Sequence, residues 1–136
     1  MGGSVYRWLD HTAEVELELE AATEREVLSD ALAALRELLE TSESTLAPLE
    51  HRAVRATAGD RPALLAAWLE ELLFLSESEG FIPHRIERLS LEACALSATV
   101  TGRPGEPRPL VKAVTYHRLQ FEPSERGYRA RVVFDV

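Results

Sequence analysis

The chain has 136 residues, 46% of them apolar and 28% charged, a size and balance that suit one domain spanning residues 1–136 with a core of its own. No apolar run reaches the ~18 residues that a membrane-spanning helix needs and no charged-then-apolar leader opens the chain, so no membrane contact and a cytoplasmic location are expected. With 23 acidic against 15 basic residues the formal charge is −8, which disfavours direct nucleic-acid binding and favours a cation or a basic protein surface as partner, although Arg103, Arg108, Lys112 and Arg118 lie close enough in sequence for a local basic patch.

In chain order, Gly2, Gly3 and Ser4 suggest a flexible start. The segment Tyr6 to Glu14 leads into a strict alternation, with Val15, Leu17, Leu19 and Ala21 on one side and Glu16, Glu18 and Glu20 on the other. That period predicts a half-exposed strand, and parity puts Glu14 at the start of its acidic face. Thr23 and Glu26 form a capping-box pair, and Val27, Leu28, Ala31, Leu32, Leu35, Leu38 and Leu39 recur at helical spacing, which predicts a helix from about Glu24 to Glu40. Thr41 to Ser44 reads as a loop and Leu49 to Ala58 as a second strand. Asp60 with Pro62 starts another helix, whose stripe runs from Leu64 to Leu75, and Gly80 stops it. Strand-like pieces follow from Phe81 to Val100 with a turn near Ser90 to Ala93, and Cys94, set among apolar neighbours, reads as a small core residue. A single cysteine excludes an internal disulfide and a zinc–thiolate cage. Gly102 to Pro109 is too rich in glycine and proline for regular structure, and Val111 to Phe121 and Tyr128 to Val136 form a last pair of strands. The order predicts an α+β fold, with two amphipathic helices packed on one face of a mostly antiparallel or mixed sheet.

Motifs for enzymatic chemistry are absent from the sequence: there is no glycine-rich phosphate loop, no nucleophile elbow, and no zinc-ligand spacing among His11, His51, His84 and His117. Several polar residues have an ordinary explanation when taken singly. Asp10 and Thr12 suit a turn, His11 a packed histidine, Glu14 a solvated acidic face, Lys112 a surface position and Tyr116 a cross-strand aromatic. Asp135 is harder to place, because aspartate has low strand propensity and here it stands beside Val136 at the end of an apolar strand. If that strand neighbours the alternating one, carboxylates from Glu14, Asp135 and Val136 converge, a set that suits a hard cation or a lysine or arginine.

Four blocks in sequence order carry a resemblance over nearly the whole chain. They are Asp10-His11-Thr12-Ala13-Glu14, Leu69-Glu70-Glu71-Leu72-Leu73 with Glu79-Gly80, Lys112-Ala113-Val114-Thr115-Tyr116-His117, and Phe134-Asp135-Val136. Together they resemble the archease family. The resemblance implies a small non-enzymatic α+β protein that serves an RNA-splicing ligase of the RtcB type in tRNA processing. It would promote the ligase's guanylylation from GTP and its repeated turnover. It also implies a cation site, calcium by resemblance with magnesium or manganese as alternatives, formed by Glu14, Asp135 and Val136. Lys112 would take part in activation, and Asp10, His11, Tyr116 and His117 would contact the partner. The family motif usually closes with aspartate where this chain has Glu14, one methylene longer, which bears on the choice of metal. A chaperone or modulator of tRNA-modifying enzymes such as methyltransferases is the alternative reading, and a stand-alone metal-dependent hydrolase using Glu14 and Asp135 ranks below it.

Overall fold

The structure is a computed structural model that describes residues 4–11, 13–41 and 47–136, the side chains of Asp10 and His11 excepted. The expectations for Gly2, Gly3, Thr12 and residues 42–44 lie outside the described residues. The elements run β1 (Val5–His11), β2 (Glu14–Ala21), α1 (Glu24–Leu39), β3 (Glu50–Thr57), α2 (Arg61–Glu79), β4 (Phe81–Leu91), β5 (Ala95–Pro104), β6 (Ala113–Ser124) and β7 (Gly127–Asp135).

Local chemistry explains where the helices begin and end. The Thr23 hydroxyl accepts the Glu26 N–H at 3.1 Å, satisfying a donor that the first turn of α1 leaves without an intrahelical partner. Asp60 does the same for α2, its carboxylate accepting the Ala63 N–H at 2.8 Å. Pro62 occupies the first turn, where no N–H is needed. At the other end Gly80 turns left-handed at φ 65°, and its N–H closes on the Ser76 carbonyl at 3.0 Å.

The α+β class and the antiparallel pairing hold, but the strands divide into two sheets. One has the order β1-β2-β7-β6 and the other β3-β5-β4. Each helix touches both: α1 packs on β2 and β4, and α2 on β6 and β3. The helices therefore fill the space between the sheets instead of lying together on one face. This placement explains α2, whose buried residues Leu64, Leu65, Ala66, Trp68, Leu69, Leu72 and Leu73 go most of the way round it and exceed a single amphipathic stripe. Trp68 is fully buried and its indole N–H donates to the Leu28 carbonyl at 3.0 Å, which ties the two helices together. Each fully buried leucine in this layer contributes about 1.5–3 kcal/mol.

Other departures have local causes. β1 was not legible as a strand, because Tyr6 and Trp8 pack inward while Val5 and Leu9, on the opposite parity, are apolar too and blur the alternation. β5 continues through Gly102 to Pro104, into a segment expected to be loop. Gly102 is required there, since a Cβ would lie 2.2 Å from the Ile82 carbonyl oxygen on the neighbouring strand. Cys94 is exposed, not a core residue: it sits in the turn between β4 and β5, where strand parity no longer decides which way a side chain points. Among the described residues no helix is long and apolar enough to cross a membrane.

Candidate functional site

β2 lies between β1 and β7, and this position gathers the ends of the chain. Leu17, Leu19 and Ala21 of β2 and Ala130, Val132 and Phe134 of β7 are buried against the helices. The alternate residues, Glu14, Glu16, Glu18 and Glu20 with Arg129, Arg131, Val133 and Asp135, therefore share the outer face. In that register Glu14 stands directly opposite Asp135 on one side and opposite His11 on the other. The end of the sheet is stitched by backbone bonds. The Val136 N–H donates to the Ala13 carbonyl at 3.2 Å, and the Lys112 N–H donates to the Asp135 carbonyl at 2.8 Å. Ala13, exposed in the turn before β2, has φ 61°, a left-handed conformation that costs a non-glycine residue about 1–2 kcal/mol.

The structure thus brings Glu14, Asp135, Val136 and the Lys112 backbone together at one sheet end, which we call the tip. The first three are half-buried and Lys112 is exposed. Two carboxylates opposed across a ladder repel each other, and positive charge between them relieves the repulsion. Their oxygens have the hard character that a divalent cation takes, but roughly six to eight oxygens surround calcium. Among the described residues no three side chains of His, Cys, Asp or Glu gather anywhere. The donor set fits an open cation site, with the remaining ligands supplied by water or by a bound partner. Asp10 and His11 belong to β1 opposite Val15 and Glu14 through their backbones, and their side chains lie outside the described residues.

Two residues further along β2 the electrostatics reverse. Glu16 is only 3% exposed, contrary to the solvated role that its parity suggests. Arg118 lies 2.9 Å from one of its oxygens and Arg131 3.2 Å from the other. Glu18 continues the series, with Arg7 at 2.8 Å and Arg131 at 3.4 Å. The Arg7 hydrogen bond holds the Glu18 carboxyl below its ordinary range against the opposing effect of burial. At the end of this face away from the tip, a cleft of about 480 Å³ is lined by Arg7, Glu18, Gln120, Arg129 and Arg131, among others.

Arg118 reaches Glu16 because β6 is interrupted. Thr115 faces Val133 and Gln120 faces Arg131, so Tyr116, His117, Arg118 and Leu119 together oppose Val132 alone. The bulge carries Arg118 at φ 55° and turns Tyr116 away from the ladder. Tyr116 is consequently not a cross-strand aromatic. It is 56% exposed, and its hydroxyl donates to Glu70 of α2 at 3.1 Å. Partial burial and that bond raise its pKa, keeping the hydroxyl a donor well into the alkaline range. His117 is exposed beside it, its N–H donating to the Thr115 hydroxyl at 3.3 Å. The block from Lys112 to His117 is thus split, Lys112 belonging to the tip and Tyr116 to the side of α2.

The expected basic patch does not gather. Arg118 pairs with Glu16, Arg103 bonds the Ala47 carbonyl, and Arg108 caps the end of α1 through the carbonyls of Glu37 and Leu39. Sequence reasoning missed Glu16, Arg118 and Arg131 as a network. The available signal was a run of outward glutamates on one strand with arginines at matching parity on another, and it becomes readable only once the two strands are known to pair.

Residues 6–136 match the model of the Archease protein family (MTH1598/TM1083). The archease of Methanosarcina mazei is 32% identical over 98% of this chain and 97% of its own length. That of Methanopyrus kandleri is 32% identical over 94% of this chain and 96% of its own length. The solution structure of Methanobacterium thermoautotrophicum protein 1598 superposes with a TM-score of 0.70 at 28% identity, covering 96% of this chain and 98% of that one. The crystal structure of a Thermotoga maritima archease, described as a possible chaperone, shares the fold with a TM-score of 0.60 at 24% identity and 94% coverage of each chain. With the family model spanning all but the first few residues and relatives matched over nearly their full length, this chain belongs to the archease family.

Proposed function

We propose that this chain is a non-enzymatic activator of an RtcB-type RNA ligase, raising the rate at which the ligase takes up guanylate from GTP and returns to activity after each round. The observation that carries the reading is the direct opposition of Glu14 and Asp135 on the outer face, with Val136 and Lys112 bonded into the same corner. Such an arrangement is unfavourable alone and becomes favourable when positive charge enters between the carboxylates. Glu14, Asp135 and an oxygen of Val136 would hold a divalent cation, calcium by family resemblance, whose charge would neutralise the tip and leave positions open for a partner's oxygens. Lys112 is exposed beside Asp135, and an ammonium at that position suits a nucleotide phosphate at the mouth of the ligase site. The Glu14 side chain, one methylene longer than the aspartate usual in the family, would place the cation differently or favour one of another size.

The decisive measurement is the rate of labelled guanylate transfer from GTP to the ligase of the same organism, with and without a small fraction of an equivalent of this protein. Acceleration at substoichiometric amounts is expected. An unchanged rate with a ligase that is competent alone would remove the reading. The Thermotoga maritima relative, described as a possible chaperone, favours as second reading a chaperone or modulator of tRNA-modifying enzymes. That reading requires suppression of aggregation of a tRNA methyltransferase without any effect on GTP chemistry.

A further inference from the structure

Away from the tip, α2 presents a surface that the fold does not use. Glu70, Glu71, Phe74, Glu77, Ser78 and Glu79 are exposed, Glu79 being paired with Arg52, while the rest of the helix is buried or half-buried. Phe74 is 67% exposed, more than any other large apolar side chain described. A single exposed phenylalanine is ordinary on a protein surface, but Phe74 does not stand alone. Glu70 lies one helical turn before it on the same face, and Glu71 and Glu77 flank it three residues to either side. Tyr116 is fastened to this ridge by its bond to Glu70. It is delivered there by a bulge that places Arg118 in a left-handed conformation and anchors it on the buried Glu16. Strain and a buried ion pair are thus used to bring a second exposed aromatic to Glu70, one helical turn from the first. Glu70, Glu71 and Glu77 take part in no ion pair among the described residues.

We propose that Phe74, Tyr116 and the carboxylates of Glu70, Glu71 and Glu77 form a docking surface for a protein segment that presents arginine between apolar side chains. Charge complementarity selects this occupant. A guanidinium stacks on an aromatic face and bonds carboxylates in its own plane, so one arginine can use a ring and a flanking glutamate together. The surrounding carboxylates repel a nucleic-acid backbone and an acidic peptide alike. Exposed aromatics that meet arginine are also the residues that dominate protein interfaces. The inference rests on the reading that this chain acts by binding a protein, and it gives that protein a foothold separate from the tip.

The test measures affinity for the ligase of the same organism by calorimetry at two salt concentrations, using Phe74→Ala, the double variant Glu71→Gln/Glu77→Gln and Asp135→Asn. Phe74→Ala and the double variant should each weaken the complex at least tenfold with an unchanged melting temperature, and Phe74→Trp should restore it. Asp135→Asn should fail to activate. Binding by Phe74→Ala and the double variant equal to wild type would overturn the docking surface and leave the activator reading intact. If wild type does not bind the ligase, the activator reading fails, and a fluorescein-labelled arginine–leucine peptide decides the surface alone. Binding that is stronger than that of a glutamate–leucine peptide and is lost in Phe74→Ala supports the surface. Equal binding of the two peptides, or none, overturns it.

Discussion

Glu14 and Glu16 are two residues apart on one strand and point the same way, yet the molecule treats them in opposite manner. Glu16 is buried between Arg118 and Arg131, and the arginine series continues to Glu18 and Arg7. Glu14 faces another carboxylate, Asp135. The face pairs the acids in its middle with arginine and sets two acids opposite each other at its end. Charges paired within the chain serve its stability, and on the reading proposed above the two opposed acids serve a cation or a partner. Three measurements bear on that contrast, and a fourth tests a group outside it.

The largest effect is expected on activation. Asp135→Asn keeps the side-chain shape and removes one of the two opposed charges, and it should lower the acceleration of ligase guanylylation at least tenfold without loss of fold by circular dichroism. Full activation by this variant would mean that the tip is not the working surface.

Next in size is Glu16→Gln. It leaves two arginines facing a neutral amide in a nearly closed site, and urea denaturation should show a loss of about 2–3 kcal/mol, below the upper range for buried pairs because both arginines are more than a third exposed. A loss under 0.5 kcal/mol would make the network incidental.

The third measurement compares the two positions by their response to cations. Excess calcium should raise the melting temperature of wild type, by an amount equivalent to about 2.7 kcal/mol at a hundred times its dissociation constant. EDTA should reverse the rise, and Asp135→Asn should show neither. In EDTA, Glu14→Gln should be more stable than wild type by about 0.2–1 kcal/mol, because it removes a like-charge cross-strand pair. A Glu14→Gln variant less stable than wild type would show that the opposed acids are already compensated.

The smallest effect concerns a titrating group in the other sheet, His84 of β4. Burial, with Arg36 nearby, holds the His84 pKa below its ordinary 6.5, while Glu40 at 3.7 Å opposes the shift. Between that lowered value and 6.5 the unfolded chain binds the proton and the folded one does not, so stability falls as pH drops through this window. The urea midpoint of wild type should decline from pH 7 toward pH 5 more steeply than that of His84→Gln. Parallel curves would remove the assignment.

Much of the architecture was legible in residues close together in the sequence. Thr23 with Glu26 and Asp60 with Pro62 start the helices where local rules put them, and Gly80 ends the second. The alternation from Val15 to Ala21 fixes which side of β2 faces the core. What escaped depended on neighbours distant in the sequence. The division into two sheets leaves no trace in any one strand, and the burial of α2 on both sides looked like a broad single stripe. Cys94 was assigned by the parity of flanking strands across a turn where parity lapses. Glu16 was read as solvated because nothing in β2 announces the arginines that cover it, one of them carried by a bulge in β6.

By itself the sequence determined the two helices, most of the strands, and the set of polar residues that match the archease blocks, because caps, turns and periodicity act over a few residues. Only the tertiary structure decided that β7 pairs with β2 in the register that sets Asp135 against Glu14. It also decided that Lys112 stays at that corner while Tyr116 leaves it for α2. The first outcome follows from pairing between strands from the two ends of the chain, where a slip of one residue would turn Glu14 or Asp135 toward the core, and the second from the bulge that interrupts β6.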